Sequence, residues 1–168
     1  MILGMSLPTF TLFHVIISLL GIASGLVVVF GMLSANRLPG WTAFFLITTL
    51  ATSLTGFLFP FVRFGPSHTF GVISLVVLTL AVIGLYAKHL AGAWRWIYVV
   101  GSVVALYLNV FVAVVQSFQK VAFLHPLAPT GTETPFKVAQ LAVLLIFIGI
   151  GYLAVKKFHP ATLMQARA

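Results

Sequence analysis

Long apolar runs, broken by short segments rich in basic residues, proline or glycine, fill this chain from end to end. A hydrocarbon layer about 30 Å thick is crossed by about 20 helical residues, and an open strand edge cannot face lipid. Uninterrupted apolar runs of this length therefore predict transmembrane helices. We expect an all-α membrane protein, one domain over residues 1–168, whose five-helix bundle has spans at about 9–33, 41–62, 68–87, 95–118 and 136–156.

Composition narrows the classes of function that remain. Hydrophobic residues make up 61% of the chain and charged residues 6%. Because five spans of about 20 residues each use most of the 168 residues, we expect no soluble domain. The absence of cysteine excludes disulfides, iron–sulfur clusters and thiol chemistry. Glu133 is the only acidic residue, which excludes paired-carboxylate acid–base catalysis. Because the chain also contains no catalytic motif, we expect a binding protein or a membrane subunit without enzyme activity of its own.

The distribution of Lys and Arg predicts an orientation. Six of them flank one side of the predicted spans, and three flank the side that carries the N-terminus. Since cytoplasmic loops are enriched in Lys and Arg, the N-terminus should be outside and the C-terminus inside. The six are Arg37, Lys88, Arg95, Lys156, Lys157 and Arg167, and the three are Arg63, Lys120 and Lys137.

The formal net charge of +8 raises the question of a nucleic-acid partner. Binding of nucleic acid calls for basic residues clustered on a solvated face, whereas these are scattered at the ends of the spans. Membrane topology explains them better. The expected partners are the lipid bilayer and either another membrane protein or further copies of the chain.

Polar and small residues recur at helical spacing within the spans. One face of the first span carries, at intervals of four, three and four residues, His14, Ser18, Gly21 and Gly25. We expect this face to pack inward, because a GxxxG pair lets two helices approach closely and a polar group in hydrocarbon needs a partner. The fourth span has a similar stripe. The stripes predict an outer-half cavity for a small lipophilic or anionic ligand, lined by His14, Ser18, Asn109, Gln116, Lys120 and Gln140.

The second span is rich in hydroxyl side chains on two adjacent faces. A hydroxyl within a helix can donate to the carbonyl four residues earlier, and such hydrogen bonds imply no function. The alternative is a polar pore lining, which keeps a small permease as a further hypothesis. The residues concerned are Thr48, Thr52 and Thr55 on one face and Thr49 and Ser53 on the other.

Three histidines, His14, His68 and His125, are expected on the outer side. Imidazole is a common ligand of zinc, copper and haem iron. A rival hypothesis is therefore a membrane redox protein with b-type haem between His14 and His68, or with a transition metal that His125 also binds. Arg63 or Lys120 would then contact the haem propionates. An interfacial histidine can equally cap a helix end, so both interpretations stay open.

Several strings of the chain resemble a family of small bacterial multi-spanning proteins known as hypothetical membrane proteins. They are GWTAFFLITTLATSLTGFLFPF (40–61), HLAGAWRWIYVV (89–100), ALYLNVFVAVVQSFQK (105–120) and LAPTGTETPFKVAQ (127–140). This resemblance implies a multi-pass protein of the bacterial inner membrane and attaches no activity. Helices with histidines near their ends are also similar to haem-binding bundles of the cytochrome b561 type.

Overall fold

The computed structural model describes residues 1–60 and 66–160 and has an all-helical fold. α3 continues as one π-helical turn, Ile83–Ala87, and a short 3₁₀ turn, His125–Leu127, follows α4. The helices are α1 (Leu7–Leu33), α2 (Pro39–Gly56), α3 (Pro66–Val82), α4 (Ala93–Lys120) and α5 (Thr134–Lys157).

Four of these helices are long and apolar enough to cross a membrane: α1, α3 with its π-helical turn, α4 and α5. The prediction of membrane-spanning helices is confirmed for these four as far as length and composition go. α2 has 18 residues, which at about 1.5 Å per residue is about 27 Å, slightly less than a hydrocarbon layer of about 30 Å. α2, which carries several hydroxyl residues, is not among the helices that are long and apolar enough to cross a membrane.

α2 ends at Gly56, earlier than the predicted end at residue 62. Glycine is a poor helix former, and Pro60 disfavours the helical conformation for the residue before it. The chain leaves the helix through a turn in which the N–H groups of Phe57 and Leu58 donate to carbonyls three residues earlier. Residues 61 and 62 of the predicted span lie outside the described residues.

Consecutive helices run antiparallel, in up-and-down order. α4 lies at the centre, in contact with α1, α3 and α5. Short connections favour this arrangement, since neighbouring helices joined by a few residues pack side by side. Contacts near opposite ends of three interfaces show it. They are Gly31–Leu38 and His14–Thr55 for α1 and α2, Gly84–Trp94 and Phe70–Phe111 for α3 and α4, and Arg95–Phe158 and Phe118–Phe136 for α4 and α5.

Glycine lets α1 approach α2 and α4 closely. A Cβ atom at Gly25 would lie 2.7 Å from Leu106 Cδ1 and 2.7 Å from Phe45 Cε2. Both of those side chains are 0% exposed, so a side chain at this position would have to displace atoms of the packed interior. A Cβ atom at Gly21 would lie 3.3 Å from Thr49 Oγ1. The prediction that the glycine-bearing face of α1 packs against other helices is confirmed.

Most of the described cations lie at one end of the bundle, which we call the basic end. It is formed by the α1–α2 connection, the α3–α4 connection and the C-terminus of α5. The opposite end carries the N-terminus and two lysines, Lys120 and Lys137. Arg63 and Arg167 lie outside the described residues. The cations of the basic end are Arg37, Lys88, Arg95, Lys156 and Lys157.

Arg95 joins α4 to the end of α5. One guanidinium nitrogen donates to the carbonyl oxygens of Val155 and Phe158, each at 2.8 Å. The last carbonyls of a helix have no partner within the helix and carry partial negative charge. A half-buried guanidinium therefore satisfies two acceptors at the α5 terminus and compensates its dipole.

The only acidic side chain, Glu133, forms hydrogen bonds within its own loop at the end opposite the basic end. Glu133 accepts hydrogen bonds from the hydroxyl of Thr130 and from the N–H groups of Thr130 and Thr132, at 2.7, 3.1 and 2.9 Å. These hydrogen bonds lower the pKa of Glu133 to about 2, with the Thr130 hydroxyl contributing most. The carboxylate is thus ionised at neutral pH, and the whole length of α5 separates it from the basic end.

Candidate functional site

His14 lies where α1 meets the end of α2. Its Nδ1 is 2.8 Å from Thr55 Oγ1, and its ring contacts Phe59 edge to face at 5.2 Å between centroids. Thr55 also donates to the carbonyl of Ala51 at 2.7 Å. Because the Thr55 hydroxyl has one proton, the network assigns the His14 proton to Nδ1. Nε2 is then the nitrogen able to accept a hydrogen bond or bind a metal.

Three of the predicted ligand-binding residues lie near one another at this end. The Ser18 hydroxyl donates to the His14 carbonyl at 2.6 Å. The charge of Lys120, an exposed residue at the end of α4, is close enough to act on the His14 ring. The antiparallel packing of α1 and α4 produces this proximity, since the start of one helix meets the end of the other.

The other predicted ligand-binding residues are dispersed. Asn109 lies deeper and donates from Nδ2 to Thr49 Oγ1 at 3.3 Å. Gln140 lies at the α4–α5 interface and donates to the carbonyl of Phe111 at 3.1 Å. Gln116 is exposed on α4. Asn109 and Gln140 thus connect helices, as expected for polar groups that need a partner in hydrocarbon, whereas Gln116 faces outward.

The three histidines that were predicted on the outer side are not grouped as a three-ligand metal site in the structure. Among the residues that the structure describes, no group of three His, Cys, Asp or Glu side chains could hold a metal ion. His68 packs its ring against Phe57 at 5.8 Å between centroids, and His125 is exposed in the 3₁₀ turn. Arg63, the other residue predicted to contact propionates besides Lys120, lies outside the described residues. Haem between His14 and His68 stays a prediction.

Hydroxyls of α2 bond to their own helix. Thr48, Thr52, Ser53 and Thr55 each donate to the carbonyl four residues earlier, at 2.7–3.0 Å. Ser53 also reaches Ser74 Oγ on α3 at 2.9 Å. The structure shows the internal hydrogen bonds of the first interpretation, which satisfy these hydroxyls without requiring a pore. A small permease stays a prediction.

A long apolar groove lies between α2 and α3, in the half of the bundle next to the basic end. Its volume is about 420 Å³, within the range of about 300–1,000 Å³ typical of small-molecule sites. The side chains that bring a polar atom to its lining are Thr79 and Tyr86. The remaining lining is apolar: Ala43, Leu46, Ile47 and Leu50 on α2, and Leu78, Val82 and Ile83 on α3 and its π-helical turn.

A smaller cavity, of about 60 Å³, lies at the basic end itself. Its polar wall consists of Asn36, Arg37, Thr42 and Tyr98. The hydroxyl of Tyr98 lies beside those of Thr42 and Ser102. The rest of the lining comes from α1, the start of α2, the π-helical turn and the residue after α5: Val28, Met32, Pro39, Leu85, Tyr86 and Phe158.

The π-helical turn borders both cavities. Ile83 lines the groove, Leu85 lines the small cavity, and Tyr86 lines both. A π-helical turn inserts one residue into the helical repeat and so changes the direction of the following side chains. In an uninterrupted α-helix these three residues would have different directions. The local distortion of α3 therefore helps to place an apolar groove directly beside a polar cavity.

Both cavities were missed by sequence reasoning, which placed the ligand site in the opposite half of the bundle. Within the described part of the chain, neither cavity is lined by any of the six predicted ligand-binding residues. Leu46, Leu78 and Val82 look like ordinary lipid-facing or core residues in sequence. The sequence feature that could have indicated the small cavity was Arg37, a cation next to Asn36 in the short connection before Pro39. We interpreted Arg37 only as an indicator of membrane orientation.

Comparison with known proteins finds no matching family model, no matching curated protein and no matching solved structure. Evidence for function therefore comes from the arrangement of this chain's own residues.

Proposed function

We propose that this chain is a multi-pass protein of the bacterial inner membrane that binds a small lipophilic ligand in the α2–α3 groove. The groove carries the proposal, because about 420 Å³ of apolar space between two helices accommodates a hydrocarbon chain. The bacterial setting is supported by the resemblance of four segments to small bacterial membrane proteins. A role as a subunit beside another membrane protein is compatible with this binding function.

The proposal includes five spans, with the N-terminus outside and the C-terminus inside. α2 is short, but it is antiparallel to α1 and lies between two long apolar helices in the chain order. The five described cations of the basic end, against two at the opposite end, favour a cytoplasmic basic end. The groove then opens toward the inner leaflet.

Ala43→Phe is expected to block the groove. Ala43 is half-buried on its wall, and a phenyl ring would occupy the space of the ligand chain. We expect binding of tritiated hexadecanol to the detergent-purified protein, measured by scintillation proximity, to fall about 10-fold, which corresponds to about 1.4 kcal/mol.

Ala142→Phe is the matched control, because Ala142 is exposed on α5 and lines neither cavity. It makes the same change at a lipid-facing position and should leave hexadecanol binding unchanged. Equal binding by wild type, Ala43→Phe and Ala142→Phe would mean that the probe only partitions into the micelle, and the proposed function would then be wrong.

The orientation is tested separately, with alkaline phosphatase, which is active only outside the cytoplasm. A fusion after Arg167 should be inactive, because the cation-rich end of the bundle stays in the cytoplasm. A fusion after Pro129, in the connection between α4 and α5 at the opposite end, should be active. The reverse pattern would contradict the orientation without affecting the groove.

A further inference from the structure

Arg37 is a cation without an acidic partner at the edge of a small polar cavity. It is exposed and lines the cavity together with Asn36, Thr42 and Tyr98. The only acidic side chain of the sequence, Glu133, lies at the opposite end of the bundle and is hydrogen-bonded within its own loop. A guanidinium with five N–H donors and no carboxylate side chain nearby is suited to an external anion.

The cavity is small. Its volume of about 60 Å³ is well below the range of about 300–1,000 Å³ typical of small-molecule sites, so a compact charged group suits it better than a bulky head group does. Its lining also includes polar groups that can form hydrogen bonds, namely the amide of Asn36 and the hydroxyls of Thr42 and Tyr98.

The cavity and the groove share Tyr86 as a wall. A ligand that occupies both must therefore be polar and compact at one end and apolar along the rest of its length. The positions of the cavity and the groove also suit such a ligand, because the polar cavity lies at the basic end and the apolar groove lies closer to the middle of the bundle.

We infer that the ligand of the groove is a single-chain anionic amphiphile whose compact head, a carboxylate or a phosphate monoester, binds beside Arg37. This inference rests on the proposed function, because it specifies the head group of the ligand whose chain lies in the groove. Arg37 contributes charge and N–H donors, Asn36 and the hydroxyls of Thr42 and Tyr98 contribute further hydrogen bonds, and the apolar side chains of α2 and α3 contact the chain.

The test compares three probes with the same hydrocarbon chain length: tritiated palmitate, hexadecyl phosphate and hexadecanol. In wild type, at least one of the anions should bind more tightly than the alcohol. Arg37→Gln should weaken binding of that anion about 10-fold, the loss that one charge-assisted hydrogen bond produces. Hexadecanol should lose much less affinity in the same variant, because its neutral hydroxyl forms no charge-assisted hydrogen bond, and an unchanged melting temperature would show that the variant is folded.

Lys88→Gln is the matched control, because Lys88 is an exposed cation of the same end whose Nζ lies 5.8 Å from the centre of the Trp94 ring. It removes one charge from the basic end and should leave all three affinities unchanged. The anion with the greater affinity in wild type identifies the head group as a carboxylate or a phosphate.

Two results would overturn the inference. If wild type binds the anions and the alcohol with equal affinity, or if Arg37→Gln changes none of the three affinities, the site does not recognise an anionic head through Arg37. If Lys88→Gln weakens binding of the anions as much as Arg37→Gln does, their affinity depends on the overall charge of the basic end and not on Arg37. In either case, a fall of about 10-fold in hexadecanol binding by Ala43→Phe would still support the proposed function.

Discussion

Gly25→Leu is expected to destabilise the bundle strongly and to lower its melting temperature in detergent. The first atom of the new side chain would lie 2.7 Å from both Leu106 and Phe45, which is closer than carbon atoms can pack. Both neighbours are fully buried, so either their side chains must repack within the core or α1 must separate from α2 and α4. Overpacking of this kind costs about 1–3 kcal/mol, occasionally more.

Gly149→Leu separates this packing effect from the change in helix propensity. Gly149 is exposed on α5, and nothing among the described residues lies within 4 Å of a Cβ built there. Both variants replace glycine by a better helix former, but only Gly25→Leu places atoms in an occupied interface. A Gly25→Leu protein as stable as Gly149→Leu would contradict the close contact between α1, α2 and α4.

Arg95→Met should release the C-terminal end of α5. The change removes the donor that serves the carbonyls of Val155 and Phe158 and the positive charge at the negative end of the helix dipole. Hydrogen bonds to charged groups contribute about 1.5–3 kcal/mol each. We expect a lower melting temperature together with faster hydrogen exchange in the last turn of α5, measured by mass spectrometry.

Lys156→Met provides the control for loss of charge. Lys156 is exposed, and its Nζ lies 4.7 Å from the centre of the Tyr152 ring, an exposed cation–π contact that contributes about 0.5–1 kcal/mol. It belongs to the same end of the molecule and should have the smaller effect on stability. If both variants accelerate exchange equally, the end of α5 depends on the charge of this region and not on the two hydrogen bonds from Arg95.

Parts of the candidate site could be read from residue spacing, and parts could not. The inward face of α1 was predictable, because Gly21 and Gly25 repeat at the helical period and hydrocarbon offers polar groups no partner. The proximity of His14 and Lys120 follows from the up-and-down order of α1 and α4. The dispersal of Asn109, Gln116 and Gln140 could not be predicted in this way, because residues on one stripe of a helix contact different neighbours at different depths.

The sequence by itself determined the helical membrane class, since the length and apolarity of a run decide whether it can satisfy its backbone groups within a bilayer. It also determined that Glu133 is the only acidic side chain available to balance the cations. Only the tertiary structure decided where a ligand could enter. The groove and the cavity depend on the separation of α2 from α3 and on the π-helical turn at Ile83–Ala87. Gaps between helices arise from side-chain packing across their interfaces, and the periodicity along one helix does not specify that packing.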